Sequence, residues 1–280
     1  MSKLRLMNIK AILIVPWLLL AGFVAGAADD WKMVWHDEFN QNGPPDPANW
    51  GYEHGFVRNR ELQWYQPENA WCTNGLLIIE ARPEHKPNPN YVAGSTRWST
   101  SREFIDYTSA SLVTRGLREF KYGKFEMRAR INTQAGSWPA FWVLGAHRPG
   151  VGWPAGGEID IMEYYAGLIR ANIACQMDGK VKWWSVAKPI ADLGGDAWSN
   201  AFHIWTMEWD ATNLDLSLDG KLMNHLAVSS ADSADQGNPF HFPEYFILNQ
   251  AIGSNGGDPS HTPFPIRFEV DWVRVYQHPD

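Results

Sequence analysis

Three carboxylates fall within six residues, at Glu158, Asp160 and Glu163, and apolar side chains separate them. On a β-strand successive side chains point to opposite faces, so Glu158 and Asp160 share one face. Glu163 falls on the other face of a regular strand. One extra residue at a β-bulge near Ile161-Met162 brings it back and aligns all three acids, with Ile159 and the bulge residues turned to a core. A row of acids repels itself and displaces its own proton affinities. A general acid working beside a carboxylate nucleophile requires such displacement. An amphipathic strand with a wet acidic face is the plainer reading. The neighbours weigh against it: Gly156-Gly157 precede the acids, Tyr164-Tyr165 follow, and Trp138, Trp142 and Trp153 lie upstream. Aromatic rings around carboxylates point to a sugar cleft.

The elements that would position such a row read as strands. Phe125, Met127, Ala129 and Ile131 alternate with Glu126, Arg128 and Arg130. Leu214, Leu216 and Leu218 alternate with Asp215 and Ser217, and Asp219-Gly220 then offers a hairpin turn. Apolar runs recur at 76–81, 109–113, 204–209, 245–252 and 268–276, while 84–90 and 231–239 read as surface loops. No long segment repeats with a period of 3.6. Many short strands between turn residues predict an all-β antiparallel sandwich.

Lys3, Arg5 and Lys10 precede an apolar run over 11–24, and Ala25-Gly26-Ala27 follows. This reads as a secretory signal peptide over 1–27, cut near Ala27 or Ala28. The run is too short for the about 20 residues of a membrane span. Residues 28–280 are then one catalytic domain, secreted to the extracellular space or periplasm, with no stable membrane insertion and no second module. The whole chain carries 24 basic and 31 acidic residues; without Lys3, Arg5 and Lys10 the balance is 21 to 31, or −10. Nucleic acid is a poor partner for such a chain. The two cysteines, Cys72 and Cys175, make no disulfide framework and read as buried free thiols, although export permits a bridge. The nine histidines show no metal-ligand spacing. Sixteen tryptophans exceed what a core needs and imply stacking platforms.

The spacing Glu158-x-Asp160-x-x-Glu163 resembles the bulged signature of glycoside hydrolase family 16. Other runs agree in order: Val34–Phe39, Asn59–Tyr65, Tyr122–Glu126, Gly136–Trp142 and Val270–Tyr276. The resemblance covers nearly all of the mature chain and is greatest to the laminarinase-like endo-β-1,3(4)-glucanases. It implies a β-jelly roll of two curved antiparallel sheets, concanavalin A-like, with the cleft on the concave one. It implies a monomer that hydrolyses β-1,3 or mixed-linkage β-1,3/1,4 glucan with retention, needing no cofactor for the chemistry. Glu158 would be the nucleophile, Glu163 the acid/base, and Asp160 a tuning group between them. With a bulge the two glutamates lie about 13 Å apart at Cα, at about 3.3 Å per step. Their side chains must lean inward to approach the 5–5.5 Å of a retaining pair.

Trp138 and Trp142 match residues flooring the sugar sites, with Trp138 favoured as the cleft residue. Asn59 matches a donor-side contact, or is a turn residue; Trp153 is a further donor-side candidate. Asp271, with carbonyls at Glu38 and Gly75, matches a structural calcium site, or Asp271 forms a salt bridge to Arg274. Hard oxygen ligands suit calcium. Two departures stand out: 171–176 lacks a histidine, and 253–258 lacks a Trp-Pro pair, both found in many laminarinases. A same-family hydrolase of a galactan such as agar is therefore a second reading. A non-catalytic β-glucan-binding protein is a third, opposed by the intact acids.

Overall fold

In this computed structural model, residues 30–146, 151–234 and 237–279 are described. The expected signal peptide lies outside them. Residues 31–280 form one compact unit.

In chain order the strands are β1 (Lys32–Asp37), β2 (Gly51–Tyr52), β3 (Gln63–Tyr65), β4 (Ala70–Thr73), β5 (Leu76–Pro87), β6 (Phe104–Ser109), β7 (Ser111–Val113), β8 (Glu119–Phe120) and β9 (Gly123–Arg130). Then come β10 (Ser137–Gly145), β11 (Glu158–Tyr165), β12 (Leu168–Met177), β13 (Lys180–Pro189), β14 (His203–Trp209), β15 (Asn213–Leu218), β16 (Lys221–Ala227), β17 (Glu244–Ile252) and β18 (Ile266–Gln277). Each apolar run expected to be a strand lies in one, except 109–113, which Ala110 divides between the end of β6 and β7.

Two sheets result. One runs β16-β15-β14-β9-β18-β5-β6-β3, with β1 on β18 and β4 on β5. The other runs β13-β12-β11-β10-β17-β7-β2, with β8 on β17. Alternation decides what fills the space between them. Phe125, Met127 and Ala129 of β9 and Leu214, Leu216 and Leu218 of β15 turn inward. They meet Phe141 and Val143 of β10, Ile159 of β11, Ile169, Ala171 and Ile173 of β12, and Phe246 and Leu248 of β17. Burying a Leu or Phe side chain contributes about 1.5–3 kcal/mol, so this layer dominates the fold's stability. The architecture is the all-β sandwich that the alternation predicts, in the jelly-roll form that the resemblance implies.

The β15–β16 hairpin closes at Asp219-Gly220, where both residues have positive φ (49° and 71°) and Leu218 pairs with Lys221. A two-residue turn of that hand matches the twist of its flanking strands.

One expectation is corrected. Residues 84–87 are not loop: β5 continues to Pro87 and pairs with β6. Pro83 and Pro87 cannot donate to a ladder, and the pairing skips register between Pro83 and Lys86. Cys72 and Cys175 are buried and unpaired, and burial pushes their thiols up to about 12 and about 11. Among the described residues no helix is long and apolar enough to cross a membrane.

Candidate active site

The bulge forms where the spacing requires it. Across from β11, Phe141 of β10 pairs with Met162 and the next residue, Trp142, with Asp160, so Ile161 is extra. On the other side Asn172 pairs with Asp160 and Arg170 with Glu163, leaving Ala171 alone to face Ile161 and Met162. Ile159, Ile161 and Met162 all point into the core. Glu158, Asp160 and Glu163 consequently emerge together on the opposite face. Gly157 admits the chain to this strand at φ 84°, and a Cβ there would meet Phe240 and Pro239 at 3.1 Å. Glycine suits both the left-handed conformation and the crowding.

The acids line a cleft of about 540 Å³. Its floor is read off the register of the eight-stranded sheet. Trp138, Ala140, Trp142 and Leu144 come from β10, and Asn249 from β17. Arg170 and Asn172 come from β12, and Trp183 and Ser185 from β13. Arg58, Asn59 and Glu61 enter from the loop before β3, and Trp153 from the loop before β11. Every carbohydrate-site residue expected from the sequence is therefore in one cleft. Trp138 and Trp142 both face it. Asn59 is at once a turn residue, with φ 55°, and a wall of the cleft. Trp153 and Trp183 leave 56% and 43% of their surface open, available for stacking.

Hydrogen bonds fix the acids. Glu163 Oε1 accepts from the Trp138 indole N–H at 2.7 Å, and its Oε2 accepts from Asn172 Nδ2 at 3.1 Å. The same Asn172 nitrogen donates to Asp160 Oδ2 at 3.0 Å. Glu158 takes hydrogen bonds from the Trp153 indole and from Asp160. A second network braces the far wall. Trp142 Nε1 donates to Asn249 Oδ1 (2.7 Å), Asn249 Nδ2 to the Tyr65 hydroxyl (3.0 Å), and that hydroxyl to Glu61 Oε2 (3.3 Å). Asn59 and Gln63 also donate to Glu61. The Arg58 guanidinium lies over the Trp142 ring, 5.0 Å from its centroid, and is ion-paired to Glu53.

Burial is the largest influence on all three acids. It pushes Glu163 up to about 7, helped by the charges of Glu158 and Glu61 and opposed by Trp138 and Arg170. It pushes Asp160 well above the usual carboxyl range, reinforced by the charges of Glu163 and Glu158. Glu158 is also raised, but the Trp153 indole, Arg58 and the Asp160 proton all favour its charged form. Two glutamates on one strand are thus held differently. One retains a proton near neutrality; the other is surrounded by groups that stabilise its carboxylate. That division is what an acid and a nucleophile need.

The proposed calcium donors lie elsewhere, on the ten-stranded sheet and its edge. Asp271 is ion-paired, to Arg128 rather than Arg274, and Arg274 instead grips both oxygens of Glu38. Gly75 turns between β4 and β5 at φ 73°. Among the described residues no three His, Cys, Asp or Glu side chains gather as a metal site.

Sequence reading left out Arg58, Glu61, Arg170, Asn172, Trp183 and Asn249. Glu61 belongs to the Asn59–Tyr65 run already singled out, and Trp183 alternates with Ser185 on its strand. The other four had no local signal.

The profile of the glycosyl hydrolases family 16 matches residues 62–274. A β-glucanase of Rhodothermus marinus is 35% identical over 272 residues, covering 89% of this chain and 86% of its own. The chain spans only 38% and 34% of two other curated relatives. The catalytic domain of a Thermotoga petrophila endo-1,3-β-glucanase (laminarinase) superposes with a TM-score of 0.75 at 34% identity, over 90% of this chain and all of that one. A structure from work on endo-acting O-glycanases, with which human gut bacteria initiate mucin breakdown, superposes at 0.81 with 33% identity, over 89% and 92%. With the bulged carboxylate row, the tryptophan-lined cleft and the sandwich that carries them, the chain belongs to glycosyl hydrolases family 16 and is a glycoside hydrolase.

Proposed function

We propose that this chain is an exported, monomeric, retaining endo-glycosidase of β-1,3 or mixed-linkage β-1,3/1,4 glucans. The observation that carries the reading is the unequal treatment of Glu158 and Glu163 on one bulged strand. Glu163 holds a proton up to about 7, while Trp153, Arg58 and Asp160 favour ionised Glu158.

In the first step Glu163 gives its proton to the glycosidic oxygen as that C–O bond breaks. The Glu158 carboxylate attacks the anomeric carbon and forms a glycosyl ester. Glu163, now ionised, takes a proton from water, and the water oxygen displaces Glu158 from the same face the leaving group occupied. Asp160 keeps its proton throughout and donates it in a hydrogen bond to Glu158. Trp138 and Trp142 floor the sugar sites, and Asn59 and Trp153 line the donor side. The basic, apolar, small-residue leader over 1–27 supports export; no resident cofactor takes part.

The test is reducing-sugar release from laminarin, lichenan and agarose side by side, with product anomers followed by NMR. Cleavage of either glucan with β-anomer formed first is expected. α-Anomer formed first, or cleavage of agarose alone, overturns the reading. A second reading, a β-galactoside-bearing glycan as substrate, rests on the β12 face, where Arg170, Asn172 and Ala174 stand without a histidine. Agarose and mucin O-glycans in the same panel decide between them.

A further inference from the structure

We propose that Asn172 is a positioning residue that ties the two halves of the reaction together: its one amide group holds Asp160, and through it Glu158, in fixed relation to Glu163. The inference rests on the roles given to Glu158 and Glu163 above.

The argument starts from the donor inventory of a primary amide. The nitrogen has two hydrogens and accepts nothing. In Asn172 the nitrogen lies 3.0 Å from Asp160 Oδ2 and 3.1 Å from Glu163 Oε2, so its two hydrogens serve two different acids. Both oxygens must therefore be acceptors. The proton that Asp160 retains is left to its other oxygen, where it can be donated to Glu158. Glu163 is clamped from both sides, by the β10 indole at Oε1 and by the β12 amide at Oε2. The Asn172 side chain has little room to turn away: it is 5% exposed, and its strand is paired on both edges, Asp160 on one side and Ser185 on the other. Its Oδ1 has no hydrogen-bond partner in the protein. Nothing but the two carboxyls accounts for the orientation of the amide.

The geometry also explains how a residue far along the chain comes to position both acids. Asn172 is 12 residues from Asp160 in the chain, yet the β11–β12 register places them directly opposite. The bulge then swings Glu163 into reach of the same nitrogen. Without the extra residue the amide could serve one acid only.

The other charged or titratable groups facing this cluster are Arg170 on β12, Tyr165 and Glu158 on β11, and Arg58 and Glu61 from the loop before β3. The Asn172 amide donates to Asp160 and Glu163 and to none of Arg170, Tyr165, Arg58 and Glu61, so a shift in the pH profile reports the lost amide.

Asn172→Ala, Asn172→Ser and Asn172→Asp are compared with the parent on whichever of laminarin and lichenan it cleaves faster. Loss of a charge-assisted hydrogen bond predicts a kcat about 10- to 100-fold lower for Asn172→Ala, with KM changed by less than about threefold. The alkaline limb of kcat/KM moves to higher pH, because a donor favouring ionised Glu163 is gone. Asn172→Ser, with a single hydroxyl hydrogen, recovers part of kcat; Asn172→Asp loses the most, since it adds a third acid to the pair. A rise in KM alone marks a substrate contact and overturns the proposal. So does a lowered melting temperature with kcat and the alkaline limb unmoved. If the alanine variant does not fold, the serine variant carries the same comparison. Glu163→Gln run alongside separates the two failures: activity in that variant refutes the acid assignment itself, whereas its inactivity beside an unaltered Asn172→Ala refutes the bridge alone.

Discussion

Glu163→Gln gives the clearest link between the site's electrostatics and the stability of the whole fold. The Glu163 carboxyl titrates at about 7 in the folded chain against an ordinary 4.5. At about 1.4 kcal/mol per pH unit, a gap of about 2.5 units means that ionising Glu163 costs the folded state about 3 kcal/mol. The sign follows from the raised value. The folded chain binds the proton more tightly, so the stability it contributes is present below pH 4.5 and is lost as pH rises through 7. Glutamine cannot ionise and escapes that loss. It has its own penalty: Trp138 and Asn172 both donate to Glu163, and a glutamine amide offers one oxygen where two are needed. That mismatch costs about 1–3 kcal/mol but does not vary with pH. The informative quantity is therefore a difference of differences. Urea unfolding followed by tryptophan fluorescence, at pH 4.5 and pH 9, gives the variant's stability relative to the parent at each pH. The variant should gain about 3 kcal/mol on the parent between the two, whatever the offset. A gain under about 1 kcal/mol refutes the claim that burial holds a proton on Glu163.

Asp160→Asn should cost less than about tenfold in kcat, because asparagine reproduces a protonated aspartic acid: it can accept from Asn172 and donate to Glu158. A loss of a thousandfold shows instead that Asp160 acts ionised. Trp138→Phe keeps a ring in the cleft but removes the 2.7 Å donor to Glu163; the alkaline limb of kcat/KM should rise above its parental position near 7, and an unmoved limb contradicts the role given to that N–H. Calcium is proposed to bind at Asp271 with the Glu38 and Gly75 carbonyls; it should raise the melting temperature, chelator should reverse the gain, and Asp271→Ala should abolish it. An unchanged melting temperature in chelator excludes the site.

The architecture was legible where period and turn chemistry coincide. The alternation through Phe125, Met127 and Ala129 gives β9, and the Asp219-Gly220 pair gives the β15–β16 hairpin, because both signals are local. The bulge was legible for a different reason: three acids at uneven spacing make sense on one face only with a residue to spare. Residues 84–87 misled because two prolines argue against a strand, and only the tertiary register shows the skip that accommodates them. Asn172, Arg58 and Asn249 were not legible at all. A hydrogen bond such as that from Trp142 to Asn249 spans 107 residues and exists only once β10 and β17 are in register. The alternative of a salt bridge between Asp271 and Arg274 failed because each has another partner. A bulge between Val270 and Trp272 leaves both side chains on the outer face of β18, where Asp271 reaches across to Arg128 of β9 and Arg274 is taken up by Glu38.

The bulge solves a problem that neither a regular strand nor a loop could. Three acids crowded on one face repel each other, and burial raises the cost of charging any of them. A loop would let them separate. A regular strand would send Glu163 into the core, where an unpaired carboxylate is far costlier still. The bulged strand forbids both escapes, because Ile159, Ile161 and Met162 anchor its other face in the main core. Each of those side chains contributes about 1.5–3 kcal/mol by burial, comparable with the about 3 kcal/mol that ionising Glu163 costs. Core packing and site chemistry are therefore two faces of the same eight residues, Glu158–Tyr165. The apolar face supplies the stabilisation that keeps the acidic face intact, and burial, helped by repulsion from Glu158, keeps one proton on Glu163, where bond cleavage can use it.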